Sequence, residues 1–239
     1  MLPRPRRSPI HGVTLGIMVL DTQFQRLPGD IGNAATWPFP VHYAVVRGAT
    51  GDRVLSPGAG GTLELFLKAA DDLVALGVDG ITTSCGFLAI LHPHLVRHCP
   101  VPVATSALMQ IPLVQAVLPH GKRVGVLTAD AAALTPAHFA AVGAPTDLPV
   151  AGLPPNGAFR ADLRGGNPSV DRAVQEAELV GMARGLIEAN PDIGAIVLEC
   201  TNMPPYAAAV EDACSVPVYD IVTLITWFHA GLKPRRYAA

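Results

Sequence analysis

The sequence predicts an α/β protein with parallel sheets, built from one βα half-domain used twice. Three observations predict it. Short β-branched runs alternate with helical periods along the chain, two stretches of the second half repeat two of the first at one fixed spacing, and a strand in each half runs into a cysteine ahead of a helix.

The elements follow in order. Val13–Leu20 is an apolar run of strand length that puts Asp21 at its carboxyl end. The turn Pro28-Gly29-Asp30-Ile31-Gly32-Asn33 comes next, with glycines that let backbone N–H groups approach a ligand. In Thr62–Leu76 the residues Leu63, Phe66, Leu67, Ala70, Leu73 and Val74 fall at helical spacing, with Thr62 as N-cap and Gly77 just past the end. Gly80–Ser84 is a strand that runs into Cys85, and Pro102–Ala104 is another. Arg123–Thr128 opens the second half. Gly143–Pro168 has no helical period and is rich in Pro and Gly, so it reads either as a lid that shapes a site or as a surface excursion with an extra strand around Leu148–Leu153. A long helix over Ser169–Ala189, a strand Ala195–Leu198 ahead of Cys200, and a last strand Val216–Tyr219 complete the pattern.

The halves superpose in sequence. Ile81-Thr82-Thr83-Ser84-Cys85 falls on Ile196-Val197-Leu198-Glu199-Cys200, and Cys99-Pro100-Val101-Pro102-Val103 on Cys214-Ser215-Val216-Pro217-Val218, both 115 residues apart. Leu15-Gly16-Ile17 matches Val124-Gly125-Val126 at 109 residues, so the intervening loops differ in length. Cys85 and Cys200 are therefore expected at equivalent strand ends, facing one another across a single site.

Bulk properties narrow the function. A chain of 239 residues holds two small domains of roughly 100 residues each. Half of it is hydrophobic and 15% charged, with a formal net charge of −2, which gives no reason to expect nucleic acid or an anionic membrane as partner. The basic start Arg4, Arg6, Arg7 leads into Ser8, Pro9 and His11 rather than an apolar stretch and reads as a tail. No apolar run reaches membrane-spanning length. The four cysteines lack close CxxC spacing, so free thiols in a cytoplasmic protein are expected. A small carboxylate is the expected partner, and a homo-oligomer, first of all a dimer, the expected assembly.

In open α/β sheets ligands bind beyond the carboxyl ends of the strands, where helix N-termini offer free N–H groups. A thiol there can be held as thiolate and a carboxylate is favoured beside it. Two opposed thiols can divide the work on a carbon acid, one removing a proton and the other delivering one to the opposite face. The developing carbanion needs donors, for which Thr83, Ser84, Gly86, Thr201 and Asn202 are placed. Asp21 is expected to orient Cys85 or a substrate amine, Gly32 and Asn33 to line the site, Phe87 to add apolar bulk, and Thr128 to be a weaker ligand contact. Cys99 and Cys214 are assigned to packing. His92, His94 and His98 are spaced like metal ligands, but Pro93 is expected to interrupt their helix, so no metal is assigned. Gly58-Ala59-Gly60-Gly61 lacks the Lys-Ser/Thr ending of a phosphate loop.

Strand–Cys–helix twice in one chain, with Thr-Thr-Ser-Cys-Gly-Phe at 82–87 and Glu-Cys-Thr-Asn at 199–202, resembles the aspartate/glutamate racemase superfamily, which includes hydantoin racemases, maleate isomerases and arylmalonate decarboxylases. The resemblance implies two pseudo-symmetric α/β domains, each with a mostly parallel four-stranded sheet flanked by helices, over residues 1–103 with 219–239 and over 104–218, and a site at their interface. It implies that Cys85 and Cys200 are the acid–base pair of a cofactor-independent racemase or epimerase of a small carboxylate, an amino acid or a hydantoin. Maleate isomerase-like or decarboxylase-like chemistry, or a non-catalytic sensor of small acids, are the alternatives. Where glutamate and aspartate racemases read Cys-Asn-Thr and Cys-Thr-His or Cys-Thr-Glu, this chain reads Cys85-Gly86-Phe87 and Cys200-Thr201-Asn202, which points to a larger or less charged substrate.

Overall fold

A computed structural model describes residues 12–165, 171–232 and 234. Two four-stranded parallel sheets carry the fold. In the first, β1 (Leu15–Leu20), β2 (Val41–Val46), β3 (Gly80–Thr83) and β4 (Val103–Ala104) lie in the order β2-β1-β3-β4. In the second, β5 (Arg123–Thr128), β6 (Val150–Gly152), β7 (Ile193–Leu198) and β8 (Val218–Tyr219) lie in the order β6-β5-β7-β8. The same order in both sheets makes β3 the counterpart of β7, the strands that lead into Cys85 and Cys200.

The central strands β1 and β7 are apolar throughout, and β3 and β5 are almost wholly buried, because helices cover both faces of each sheet. The helices are α1 (Gly51–Leu55), α2 (Leu63–Leu76), α3 (His92–His98), α4 (Ile111–Val117), α5 (Pro136–Ala141), α6 (Ala158–Leu163), α7 (Arg172–Ala189), α8 (Ala207–Cys214) and α9 (Ile221–Leu232). Gly16 of β1 and Gly125 of β5, matched in the repeat, do the same work. A Cβ on Gly16 would run into Leu73 of α2, and one on Gly125 into Ile193 and Leu186 of α7. Each glycine thus lets apolar side chains seat directly on its central strand.

One core cluster runs from Met18, Phe66 and Ile81 through Phe87, Leu88 and Leu108 to Val124, Val126 and Val197, so the halves share buried surface. Ile221, Leu224 and Ile225 of α9 pack with Leu15 and Ile17 of β1, which returns the end of the chain to the first sheet. Among the described residues no helix is long and apolar enough to cross a membrane.

Some local expectations hold and others are corrected. Thr62 does not cap α2 with its side chain; its hydroxyl donates to the Ala59 carbonyl at 2.7 Å and fixes the turn ahead of the helix. Gly77 ends α2 in the left-handed conformation (φ 98°), its N–H meeting the Leu73 and Val74 carbonyls. Pro93 sits in the first turn of α3, where its missing N–H costs nothing, so it starts that helix rather than interrupting it. Helix α7 begins after Asp171, whose carboxylate accepts from the Ala173 and Val174 N–H groups; residues 169 and 170 lie outside the described residues. The stretch 143–165 holds not only β6 but also α6, whose first N–H groups, on Ala158 and Phe159, donate to Glu178 of α7. Too short for a visible apolar period, α6 depends on that long-range cap.

Candidate active site

Cys85 follows β3 with extended backbone (φ −152°, ψ 123°) and leads into a 3-10 turn over Gly86–Leu91. Cys200 follows β7, and after Thr201, Asn202 and Met203 a 3-10 turn over Pro204–Tyr206 runs into α8. Both thiols line one cavity of about 740 Å³.

The segments that carry them are bonded to each other. The Thr201 hydroxyl donates to the Ser84 carbonyl at 2.7 Å, and the Ser84 Oγ accepts from the Leu20 N–H at 2.9 Å. Asp21, Ser84, Gly86, Phe87, Thr201 and Asn202 all line the cavity with the thiols. Gly32, Asn33, Thr83 and Thr128 do not line it, because each is engaged elsewhere. Gly32 donates its N–H to Asp30 and lies against the Arg26 side chain. Asn33 accepts from the Ala35 N–H and donates to the Arg26 carbonyl, clamping its own loop. The Thr83 hydroxyl spans the Thr105 and Cys85 carbonyls. Thr128 donates to Glu199 at 2.7 Å.

Asp21 orients neither Cys85 nor an open position. Its carboxylate accepts from the Gly48 N–H at 3.0 Å and from Arg47 at 3.2 Å, tying down the turn after β2, and the Gly48 bond, aided by Arg47, holds the carboxyl below its ordinary value.

Three groups that the motifs did not single out shape the site. Arg26 lines the cavity, donates to Asp30 at 2.8 Å and to Thr22 at 3.1 Å, and lies 4.4 Å from the centre of the Phe24 ring. Asp30, almost wholly buried, also accepts from the Asn202 side-chain amide, whose oxygen is 3.5 Å from the Cys200 sulfur. The loop after β1 thus reaches the second thiol through Asp30 and Asn202 rather than through Gly32 or Asn33. On the other side of the cavity Arg160 of α6 pairs with Asp130. The Arg26-x3-Asp30 spacing was a weak signal, and nothing local announced the Arg160–Asp130 pair, whose members are 30 residues apart.

The third group is Glu199, fully buried at the end of β7. An acid closing an apolar strand immediately before a cysteine was the available signal. Burial pushes its carboxyl up to about 7 against the opposing bond from Thr128. Burial and then the Glu199 charge push the Cys85 thiol up to about 12 and the Cys200 thiol well above its ordinary value. The expectation of a thiol whose acidity is enhanced at a helix start is therefore corrected. The backbone N–H groups of Phe87, Leu88 and Asn202 do favour the thiolates, but dehydration and the neighbouring carboxylate outweigh them.

The three histidines are held by separate partners: His92 by Thr105 at 3.2 Å, His94 by Arg97 at 3.2 Å and His98 by Asp71 at 2.7 Å. Among the described residues no group of three or more His, Cys, Asp or Glu side chains is arranged to hold a metal ion.

Residues 108–228 match the family model described as Asp/Glu/Hydantoin racemase. A dimethylsulfoniopropionate lyase from Durusdinium sp. clade D is 29% identical over 238 residues, which span 96% of this chain and 78% of that protein. A dimethylsulfoniopropionate lyase 5 from Emiliania huxleyi (strain CCMP1516) is 29% identical over 230 residues, 91% of this chain but only 45% of the longer relative. Among solved structures, a point mutant of arylmalonate decarboxylase superposes with a TM-score of 0.62 at 19% identity, covering 92% of both chains. A glutamate racemase from Bacillus anthracis superposes with a TM-score of 0.56 at 14% identity, covering 93% of this chain and 83% of that one. At these identities the structural likenesses show the fold.

Proposed function

Starting from a chain that belongs to the Asp/Glu/hydantoin racemase family, we propose that its thiol pair performs carbon-acid chemistry on dimethylsulfoniopropionate, splitting it into dimethyl sulfide and acrylate. The observation that carries this reading is similarity along 96% of the chain to a lyase of that name, in a site whose two thiols share one cavity beside both cationic and anionic side chains.

The substrate has a carboxylate at one end and a sulfonium two carbons away. A thiolate of Cys85 or Cys200 removes the proton next to the carboxylate, forming an S–H bond. The C–H electron pair becomes the carbon–carbon double bond, and the carbon–sulfur pair leaves on sulfur as neutral dimethyl sulfide. The sulfonium serves as the leaving group that accepts the electron pair, and backbone N–H groups around the thiols stabilise charge that develops on the carboxylate. Arg26 and Arg160, which line the cavity paired with Asp30 and Asp130, suit the carboxylate end, while Asp52 and the Phe24 ring suit the sulfonium.

A second reading, racemisation or epimerisation of an amino acid or hydantoin, is favoured by the presence of a thiol from each half, since elimination requires one base and inversion requires two. The full-length protein incubated with dimethylsulfoniopropionate in D2O, with dimethyl sulfide followed in the headspace and acrylate by NMR, tests the first reading. Equal amounts of both products are expected, reduced at least 100-fold in whichever of Cys85→Ala and Cys200→Ala removes the base. No dimethyl sulfide, together with deuterium uptake and inversion of a single amino-acid or hydantoin enantiomer, would replace the lyase with the racemase.

A further inference from the structure

Glu199 is a buried acid for which the thiol chemistry above has no role. Its Oε2 accepts the Thr128 hydroxyl at 2.7 Å. Its Oε1 has no hydrogen-bond partner among the described residues and lies tight against Gly86, where any side chain would collide with it. Gly86 directly follows Cys85, and Glu199 directly precedes Cys200, so the carboxyl sits at the joint between the two thiol-bearing segments. Its charge acts on both thiols, and Cys85 acts on Cys200.

An ionised carboxylate oxygen left dry and unpaired is strongly disfavoured unless a proton reaches it. The other ionisable neighbours are already engaged. Arg26 is held by Asp30, Asp30 also by Asn202, and Arg160 by Asp130. His138 of α5, edge-on to Phe87, bonds Thr135, and Asp21 is tied to Gly48 and Arg47. Asp52 and Arg164 also line the cavity, and neither is among the groups that shift the Glu199 carboxyl. Glu199 lines the same cavity as Cys85 and Cys200; the Cys200 thiol faces the Asn202 amide oxygen, and a thiol that turns toward Oε1 is the ionisable donor within that cavity.

We propose that Glu199, Cys85 and Cys200 form one acid cluster that holds two protons between three groups in the working enzyme, with Glu199 Oε1 carrying the proton that leaves the thiol acting as base. In that transfer an S–H bond breaks, an O–H bond forms, and the charge of the cluster stays at minus one. The thiolate then takes the substrate proton, which leaves the cluster neutral with three protons, and loss of one proton to solvent resets it. This inference rests on the thiols being the acid–base pair, and holds whether the substrate undergoes elimination or inversion.

The arrangement has a signature that does not depend on substrate. While the cluster loses its first proton, thiolate rises with pH; once it carries one negative charge, further rise in pH cannot increase the share held as thiolate, because the transfer is internal. The raised Glu199 carboxyl puts this break near pH 7. Iodoacetamide labelling of Cys85 and Cys200 in the full chain, quantified by mass spectrometry from pH 5 to 9.5, reads it directly.

In the wild-type protein the labelling rate should climb about tenfold per unit below the break and level off above it. In Glu199→Gln, which keeps the acceptor for Thr128, the rate should climb without a break and exceed wild type by about 100-fold at pH 9. Thr128→Val keeps the acid but removes the bond that favours its charged form, and should move the break up by about one unit. A wild-type profile without a break, a break retained in Glu199→Gln, or one unmoved in Thr128→Val would overturn the cluster. Failure to release dimethyl sulfide would leave these profiles unchanged, so it would bear on the substrate alone.

Discussion

The hydroxyl of Thr201 donates to the carbonyl of Ser84 across 2.7 Å, joining residues 117 apart and fastening the end of β7 to the end of β3. The same segment returns a second link, from the Ile31 N–H to the Thr201 carbonyl. The spacing of the thiols is thus set by hydrogen bonds between the halves as well as by the shared core.

Replacing Thr201 by Val keeps the shape but leaves the buried Ser84 carbonyl short of a donor. A loss of about 1–2 kcal/mol is expected, roughly 2–8 °C in melting temperature. Turnover should fall further than stability alone explains, because the two thiols lose their direct tie. Thermal unfolding alongside kcat at a temperature where both proteins are folded checks this; unchanged kcat would remove the tie from the positioning of the site.

Gly86→Ala should be poorly tolerated, since the added methyl meets both the carboxyl and the backbone carbonyl of Glu199. Overpacking of this kind costs about 1–3 kcal/mol. The carboxyl is also displaced from the thiols, so a drop in kcat of at least tenfold is expected. Wild-type stability and rate in this variant would show that the approach at Gly86 is dispensable.

Glu199 gives the fold a pH dependence of definite sign. Its carboxyl holds a proton more tightly when folded, about 7 against an ordinary 4.5. Its contribution to stability is therefore fully present below about pH 4.5 and is lost as pH rises through 7. A shift of this size corresponds to about 3 kcal/mol. Glu199→Gln removes it, so the variant should gain about that much relative to wild type between pH 4.5 and 7.5, as measured by urea unfolding at several pH values. A constant difference across that range would count against a protonated Glu199 in the fold.

Asn202→Ala should leave Asp30 with Arg26 but without its amide donor, and leave the Cys200 sulfur without its neighbouring acceptor. A stability loss of about 1–3 kcal/mol is expected for a hydrogen bond to a charged group. A lower kcat with little change in KM would place the effect on Cys200; a change confined to KM would place it on substrate binding.

Much of the architecture is legible before folding. Strand and helix periods are local, so β1, β3, β5, β7, α2 and α7 appear in the chain as apolar runs or apolar stripes. The repeat shows that Cys85 and Cys200 occupy equivalent strand ends. It also marks Gly16 and Gly125, whose use in receiving apolar side chains emerges only when the layers pack. The edge strand β2 and the short helix α6 are not legible in this way. β2 is half exposed, with Tyr43 and Val45 facing out, and α6 takes its cap from Glu178, some 20 residues away.

The sequence alone determines the α/β class, the duplication and the two cysteines that follow its matched strands, because each of these is written in neighbouring residues and their recurrence. The tertiary structure decides what surrounds the thiols. It turns Thr83 and Thr128 away to backbone and acid partners, brings Asp30 to Asn202, sets Arg160 against Asp130, and buries Glu199 between the halves. Burial and charge are sums over groups distant in the chain, so the protonation of Cys85 and Cys200 depends on neighbours that exist only after the two sheets have come together.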